Sequence, residues 1–148
     1  MVTWWPRAVP GGWAYAIPSG PVRRGFLWSD DHPRDFRAKI EPNVTNLADS
    51  QFRVVSGLAG TGSVSLESAN HPGSYLHQKN NEVWMERGDG TAAFGNDAGF
   101  YRRAGLADTD SGVSFESYSG AGRYLRHFDH PLYTQPADTA PAREDATF

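Results

Sequence analysis

Cysteine is absent from all 148 residues. Its absence excludes disulfides and thiolate metal sites, but leaves the compartment open, since a secreted protein can lack cysteine. No apolar run approaches the roughly 20 residues that span a bilayer, so no membrane partner is expected. Charge of a single sign is lacking too. The net charge is −3, both signs are scattered, and no basic stripe exists. Nucleic acid is therefore a poor candidate partner. Uninterrupted helical windows are scarce, because 16 Gly and 10 Pro fall in nearly all of them. The start, Met1-Val2-Thr3-Trp4-Trp5-Pro6, has neither the basic stretch nor the apolar core of a signal peptide. Export is thus expected only as a module of a longer, secreted parent.

What the chain has is aromatics at a fixed interval. Trp4, Phe52, Phe100 and Phe148 are each 48 positions apart, and Asp49, Asp97 and Asp145 keep the same step. Such self-similarity marks a repeat architecture. One copy holds Gly57-Leu58-Ala59, Val64-Ser65-Leu66-Glu67-Ser68, Pro72-Gly73-Ser74-Tyr75-Leu76 and Asp97. The next holds Gly105-Leu106-Ala107, Val113-Ser114-Phe115-Glu116-Ser117, Gly122-Arg123-Tyr124-Leu125 and Asp145. The first copy is worn, with a clear tail, Ala48-Asp49-Ser50-Gln51-Phe52, and a loose counterpart in Gly25-Phe26-Leu27. The repeats are drawn at approximately 4–51, 52–99 and 100–148, all within one domain, 1–148.

Within a unit the apolar residues alternate. Val64 and Leu66 are expected on one face with Ser65 and Glu67 on the other, and Val83 and Met85 alternate with Trp84 and Glu86. Period two signals half-buried strands. Turn residues separate them at Gly60-Thr61-Gly62, Asn70-His71-Pro72-Gly73, Asn80-Asn81 and Gly88-Asp89-Gly90. About four strands fit each unit. Twelve strands in three groups must manage their edges, and closure removes edges. The fold class is therefore all-β, and the architecture expected is a β-trefoil: a short barrel capped by three hairpins. A three-bladed propeller falls below the usual range of about four to eight blades. The recurrent aromatic is assigned to the core.

The recurrent Asp has two readings. It caps a local Asx-turn, or it binds. The second reading gains from His127, 18 residues before Asp145, and Gln78, 19 residues before Asp97. Ser29 stands at that place before Asp49. An ionised carboxylate accepts the two donors of a vicinal diol, and an imidazole or amide bonds further hydroxyls. Tyr124 and Tyr75 would supply an apolar wall for a sugar ring.

Taken together, Phe52 to Gly60, Val64 to Ser68, Val113 to Ser117, Gly122 to His127 and Asp145 to Phe148 resemble a known domain. It is the arabinofuranose-binding domain beside the catalytic domain of α-L-arabinofuranosidase B, carbohydrate-binding module family 42. The resemblance covers 52–148 strongly and 1–51 weakly. It implies a β-trefoil with up to three pockets, each taking a terminal arabinofuranose branch of arabinoxylan or arabinan. It places the pocket acid on Asp145 and Asp97 and the histidine on His127, with Tyr124 in the same motif. In the second copy His77-Gln78 replaces Arg126-His127, and Tyr75 matches Tyr124. Weak or no binding is expected at Asp49 and Ser29.

The chain alone is not expected to be an enzyme. Glycoside hydrolysis needs paired carboxyls, and the only other repeating acids, Glu67 and Glu116, are expected to point outward from strands. No cofactor is expected, and the chain is expected to be a monomer. The rival function is a trefoil that binds a protein or another sugar, since fold does not fix function. His127, Asp129 and His130 form a run able to ligate a metal, but such runs are usually solvated surface. Asn43-Val44-Thr45 is a glycosylation sequon, relevant only in a eukaryotic secretory route.

Overall fold

Aromatic and β-branched residues between tight turns produce a ladder of short antiparallel strands. The computed structural model describes residues 51–69, 71–129 and 131–148, preceded by the backbone of four short strands. Those four are β1 (Val2–Thr3), β2 (Ala14–Ala16), β3 (Phe36–Arg37) and β4 (Lys39–Glu41). Next come β5 (Gln51–Ser56), β6 (Val64–Ser68), β7 (Ser74–Lys79), β8 (Glu82–Arg87) and helix α1 (Ala92–Asp97). The last part holds β9 (Phe100–Ala104), β10 (Val113–Ser117), β11 (Tyr124–His127), β12 (Leu132–Gln135) and helix α2 (Ala140–Asp145). Trp4, Asp49, Ser29, Asn43 and His130, and with them nearly all of the worn first repeat, lie outside the described residues.

The sheet closes. Its strands follow one another as β6, β7, β8, β12, β11, β10 and β9, and β9 returns to β6 through Val64 and Phe100. This seven-strand antiparallel barrel has no free edge within the ring, the condition that the edge argument required. Strand β5 joins it beside β6, and β1 beside β5. Strand β3 pairs with β8. The β7–β8 hairpin turns on Asn80 and Asn81, whose φ values are 55° and 65°. Two consecutive left-handed residues make the turn that matches strand twist, and Asn tolerates it better than most residues.

The core lies inside the ring. Phe52, Leu66, Leu76, Val83, Met85, Phe100, Phe115, Leu125 and Leu132 are all buried there. Phe100 meets Phe115 edge to face, with centroids 6.4 Å apart. Phe148 packs on Phe115 at the same distance. Two members of the 48-residue series, Phe52 and Phe100, are therefore core residues, and Phe148 packs against that core. Burial of each such ring contributes about 1.5–3 kcal/mol.

Two expectations need correction. Ser65 does not face solvent: it is fully buried, as is its counterpart Ser114. Ser65 Oγ donates to Ala98 O at 2.7 Å and accepts from Leu58 N at 3.0 Å. Ser114 Oγ does the same with Ala146 O at 2.7 Å and Leu106 N at 3.1 Å. Each serine thus ties the Gly-Leu-Ala loop to the end of a helix. Glu67 and Glu116 do not simply point outward either. Glu67 Oε1 accepts from Gly73 N at 2.8 Å, and Glu116 Oε1 from Gly122 N at 3.1 Å. Each glutamate holds the turn of its own hairpin and pairs with an arginine, Arg53 or Arg103.

The helices were not anticipated by the strand-and-turn reading. Thr91 caps α1 by accepting from Phe94 N at 3.1 Å, and Thr139 caps α2 by accepting from Ala142 N at 3.3 Å. A hydroxyl at this position satisfies an otherwise unpaired helix donor. Pro141 sits in the first turn of α2, where its missing N–H is harmless. Six residues are too few for a helical period to show in sequence.

Candidate functional site

Each helix ends on the recurrent aspartate. Asp97 is the last residue of α1 and Asp145 the last of α2. A carboxylate gains nothing from the helix dipole at a C-terminus, where cations are favoured. Helix stability therefore gives no reason for an acid here. The barrel strands supply its partners instead.

In the last unit His127 ends β11 beside Asp145. Its Nε2 lies 3.2 Å from Asp145 Oδ1. Arg126, one residue earlier, donates from Nη2 to Asp145 Oδ2 at 3.0 Å. Its Nε also donates to His127 O at 3.3 Å, so the long side chain curls back along its own strand. The Arg126 side chain is only 11% exposed, His127 is 16% exposed and Asp145 27%. Each carboxylate oxygen of Asp145 thus has one basic partner. An ionised carboxylate offers about four acceptor sites, so about two remain for a ligand.

The preceding unit repeats the plan with other chemistry. Gln78 Nε2 donates to Asp97 Oδ1 at 2.6 Å and to Ser119 Oγ at 3.2 Å. Gln78 Oε1 accepts from Asn81 N at 3.2 Å. The amide is engaged at both ends, and Ser119 comes from the following unit. His77, which stands where Arg126 stands in the last unit, turns elsewhere. It is buried, with Nε2 2.7 Å from Glu86 Oε2 and its ring 4.8 Å from that of Phe94. The hydrogen bond to His77 holds the Glu86 carboxyl below its ordinary range, against the opposing effect of burial. The charges of His77 and Lys79 add to that lowering. Asp97 therefore meets an amide where Asp145 meets an imidazole and a guanidinium.

The six residues singled out from sequence divide into two groups. Asp145 and His127 are brought together, as are Asp97 and Gln78. Tyr124 and Tyr75 are half-buried, and each lies three residues before His127 or Gln78 on its strand. Alternation turns residues three apart to opposite faces. The Tyr75 ring lies over Gly88, 3.4 Å from where a Cβ would stand, in contact with the same space as Phe94. By alternation Tyr75 and Tyr124 leave their strands on the face opposite Gln78 and His127. Arg126 and Ser119 are the residues that sequence reasoning passed over. The Arg-His to His-Gln exchange is visible in the sequence, but by period two Arg126 leaves β11 on the face opposite His127. Only its length brings it back.

Among the described residues no group of three or more His, Asp or Glu is arranged to hold a metal ion. No described helix is long and apolar enough to cross a membrane. The arrangement offers a partly exposed carboxylate, fixed by donors, with acceptor capacity to spare. Such a group suits a ligand rich in hydroxyls.

A model of the alpha-L-arabinofuranosidase B (ABFB) domain matches residues 30–148. An extracellular exo-alpha-(1->5)-L-arabinofuranosidase of Streptomyces avermitilis is 67% identical over 131 residues, covering 86% of this chain and 27% of that protein. Alpha-L-arabinofuranosidase 43 of Humicola insolens is 47% identical over 125 residues, covering 74% and 26%. The chain thus spans about a quarter of the length of these relatives. A solved GH54 α-L-arabinofuranosidase, soaked with a cyclic sulfate inhibitor, shares the fold at a TM-score of 0.65 and 24% identity. That likeness covers 90% of this chain and 30% of the other.

Proposed function

The chain belongs to the alpha-L-arabinofuranosidase B domain family, and from that premise we propose that it is a non-catalytic carbohydrate-binding module ancillary to an α-L-arabinofuranosidase. Its ligand is the terminal arabinofuranose side chain of arabinoxylan or arabinan. Its architecture is a β-trefoil of three repeats, and its parent is secreted. The 48-residue spacing supports the trefoil, as do the matched serine and glutamate bonds of the last two units. Residues 52–99 and 100–148 then carry one pocket each.

The observation that carries this reading is the Asp145 carboxylate between Arg126 and His127. In the proposed complex its remaining acceptor sites take two hydroxyls of the sugar. The imidazole and guanidinium hold it in place, so little ordering entropy is lost on binding. Among the described residues no cation stands beside Asp97, and its amide partner is already bonded at both ends. The Asp97 pocket is the weaker of the two. A monosaccharide gives modest affinity, and two pockets on one branched polymer gain by avidity.

Affinity electrophoresis in arabinoxylan and arabinan gels tests this. A hydrogen bond to a charged group is worth about 1.5–3 kcal/mol, roughly a 10- to 150-fold change in affinity. Asp145→Ala should abolish most of the retardation and Asp97→Ala a smaller part. Undiminished retardation of the Asp145 variant refutes the site. Release of arabinose from a nitrophenyl arabinofuranoside by the pure chain would overturn the non-catalytic reading.

A further inference from the structure

Beyond His127 the chain enters the β11–β12 hairpin turn, and its first residue there is Phe128. This side chain is 59% exposed. A single exposed aromatic is ordinary on a protein surface. Phe128 differs because it is tied to the acid pair. The Arg126 guanidinium carbon lies 5.5 Å from the centroid of the Phe128 ring, and the same guanidinium holds Asp145 Oδ2 at 3.0 Å. One cation thus links an apolar ring to the carboxylate. The backbone that carries the ring is held as well. Phe128 N donates to Pro131 O at 3.0 Å, and Asp129 takes a φ of 61° to make the turn. At the corresponding place in the preceding unit stands Lys79, whose ammonium lies 5.8 Å from the Trp84 ring centroid. That unit offers a cation where this one offers a free aromatic face.

Arg126 attends one face of the Phe128 ring, and the residue remains more than half exposed. Through Arg126, the ring centroid stands within about 10 Å of the Asp145 carboxylate. This is within reach of the sugar joined to one held at Asp145. Sugar rings present C–H faces that pack on aromatic rings, whose faces carry negative charge. We infer that Phe128 is a stacking platform for the second sugar ring of the ligand, the one to which the terminal sugar at Asp145 is linked. The inference rests on the sugar-binding reading above and adds a specificity-determining residue to it. The pocket then distinguishes a branched or linear oligosaccharide from the isolated monosaccharide.

Titration followed by NMR tests it on the whole chain and its Phe128→Ala and Phe128→Trp variants. The probes are methyl α-L-arabinofuranoside, a linear 1,5-linked arabinotriose, and an arabinofuranosyl-substituted xylotriose. For Phe128→Ala the monosaccharide affinity should stay within about twofold, while affinity for at least one oligosaccharide falls about tenfold. Phe128→Trp should preserve oligosaccharide binding. The oligosaccharide that loses more identifies the second ring as furanose or pyranose. Equal loss on all three probes would mean that Phe128 only steadies Arg126, and the platform is overturned. No loss on either oligosaccharide overturns it too. If the unaltered chain binds none of the probes, the sugar reading itself fails and takes the platform with it.

Discussion

Replacing Ser114 by Ala should destabilise the fold by far more than the loss of one oxygen suggests. The hydroxyl is fully buried and serves two backbone groups, Ala146 O and Leu106 N. Ala146 is itself buried, so its carbonyl is left without a partner when the hydroxyl goes. An unsatisfied buried polar group costs about 1–3 kcal/mol. Leu106 is only half-buried, and water can take over part of its N–H. The expected loss is therefore about 2–3 kcal/mol, near the low side of two full penalties. Urea unfolding reads it directly. With a slope of about 2 kcal/mol per molar, the midpoint falls by about 1–1.5 M while the slope stays constant. Ser65→Ala removes the matching pair of bonds to Ala98 O and Leu58 N and should cost a similar amount. The substitution also loosens the helix end that carries Asp145, so sugar affinity should fall below the unfolding range as well. Changes under about 0.5 kcal/mol in both variants would refute the reasoning. They would mean that water replaces the hydroxyls and that these serines do not tie loop to helix.

Further expectations concern acid, backbone and capping. The folded Glu86 carboxyl titrates below its ordinary value of 4.5, chiefly through His77. A depressed carboxylate contributes stability that is present above about pH 4.5 and is lost as pH falls through the folded value. Urea midpoints from pH 7 to 3 should therefore show a shallower acid decline for Glu86→Gln, and an unchanged decline would refute the link. Glu116 is lowered in the same sense, first by the Gly122 N–H, so Glu116→Gln should also flatten the acid limb. At Gly105 an added Cβ would stand 2.5 Å from Asp108 O and 2.7 Å from Thr147 Cγ2. Gly105→Ala should lower the thermal midpoint clearly, by about 1–3 kcal/mol of stability. Thr139→Ala removes the cap of α2 and should cost about 1 kcal/mol by urea unfolding. A neutral result there would show that the contacts at the other end of the helix, from Ser114, Thr147 and Arg126, hold it without the cap.

Much of the fold and of the proposed site was legible in the chain because it is periodic. The 48-residue recurrence of Phe52 and Phe100 marked core positions, and alternation around Val83 and Met85 marked strands. The 18- and 19-residue separations of His127 from Asp145 and Gln78 from Asp97 marked partners that do meet. Period two cannot tell a solvent face from a second buried layer, so it puts Ser65 with Glu67, opposite Val64 and Leu66, without showing that Ser65 and its counterpart Ser114 are buried. Helices of six residues fall below the length at which a 3.6-residue period is visible.

Sequence by itself determined the 48-residue recurrence, the strands and the candidate acid pairs, since each depends on spacing along one chain, while its motifs carried the resemblance to the family. Tertiary structure alone decided the rest. Closure of the barrel through Val64 and Phe100 brought Ser119 of one unit to Gln78 of another. It also decided that Arg126 swings to Asp145 while His77 in the matching place turns to Glu86. Side chains choose among partners by reach and by the charge already present. Both are set by neighbours that lie far away in the chain and close in space.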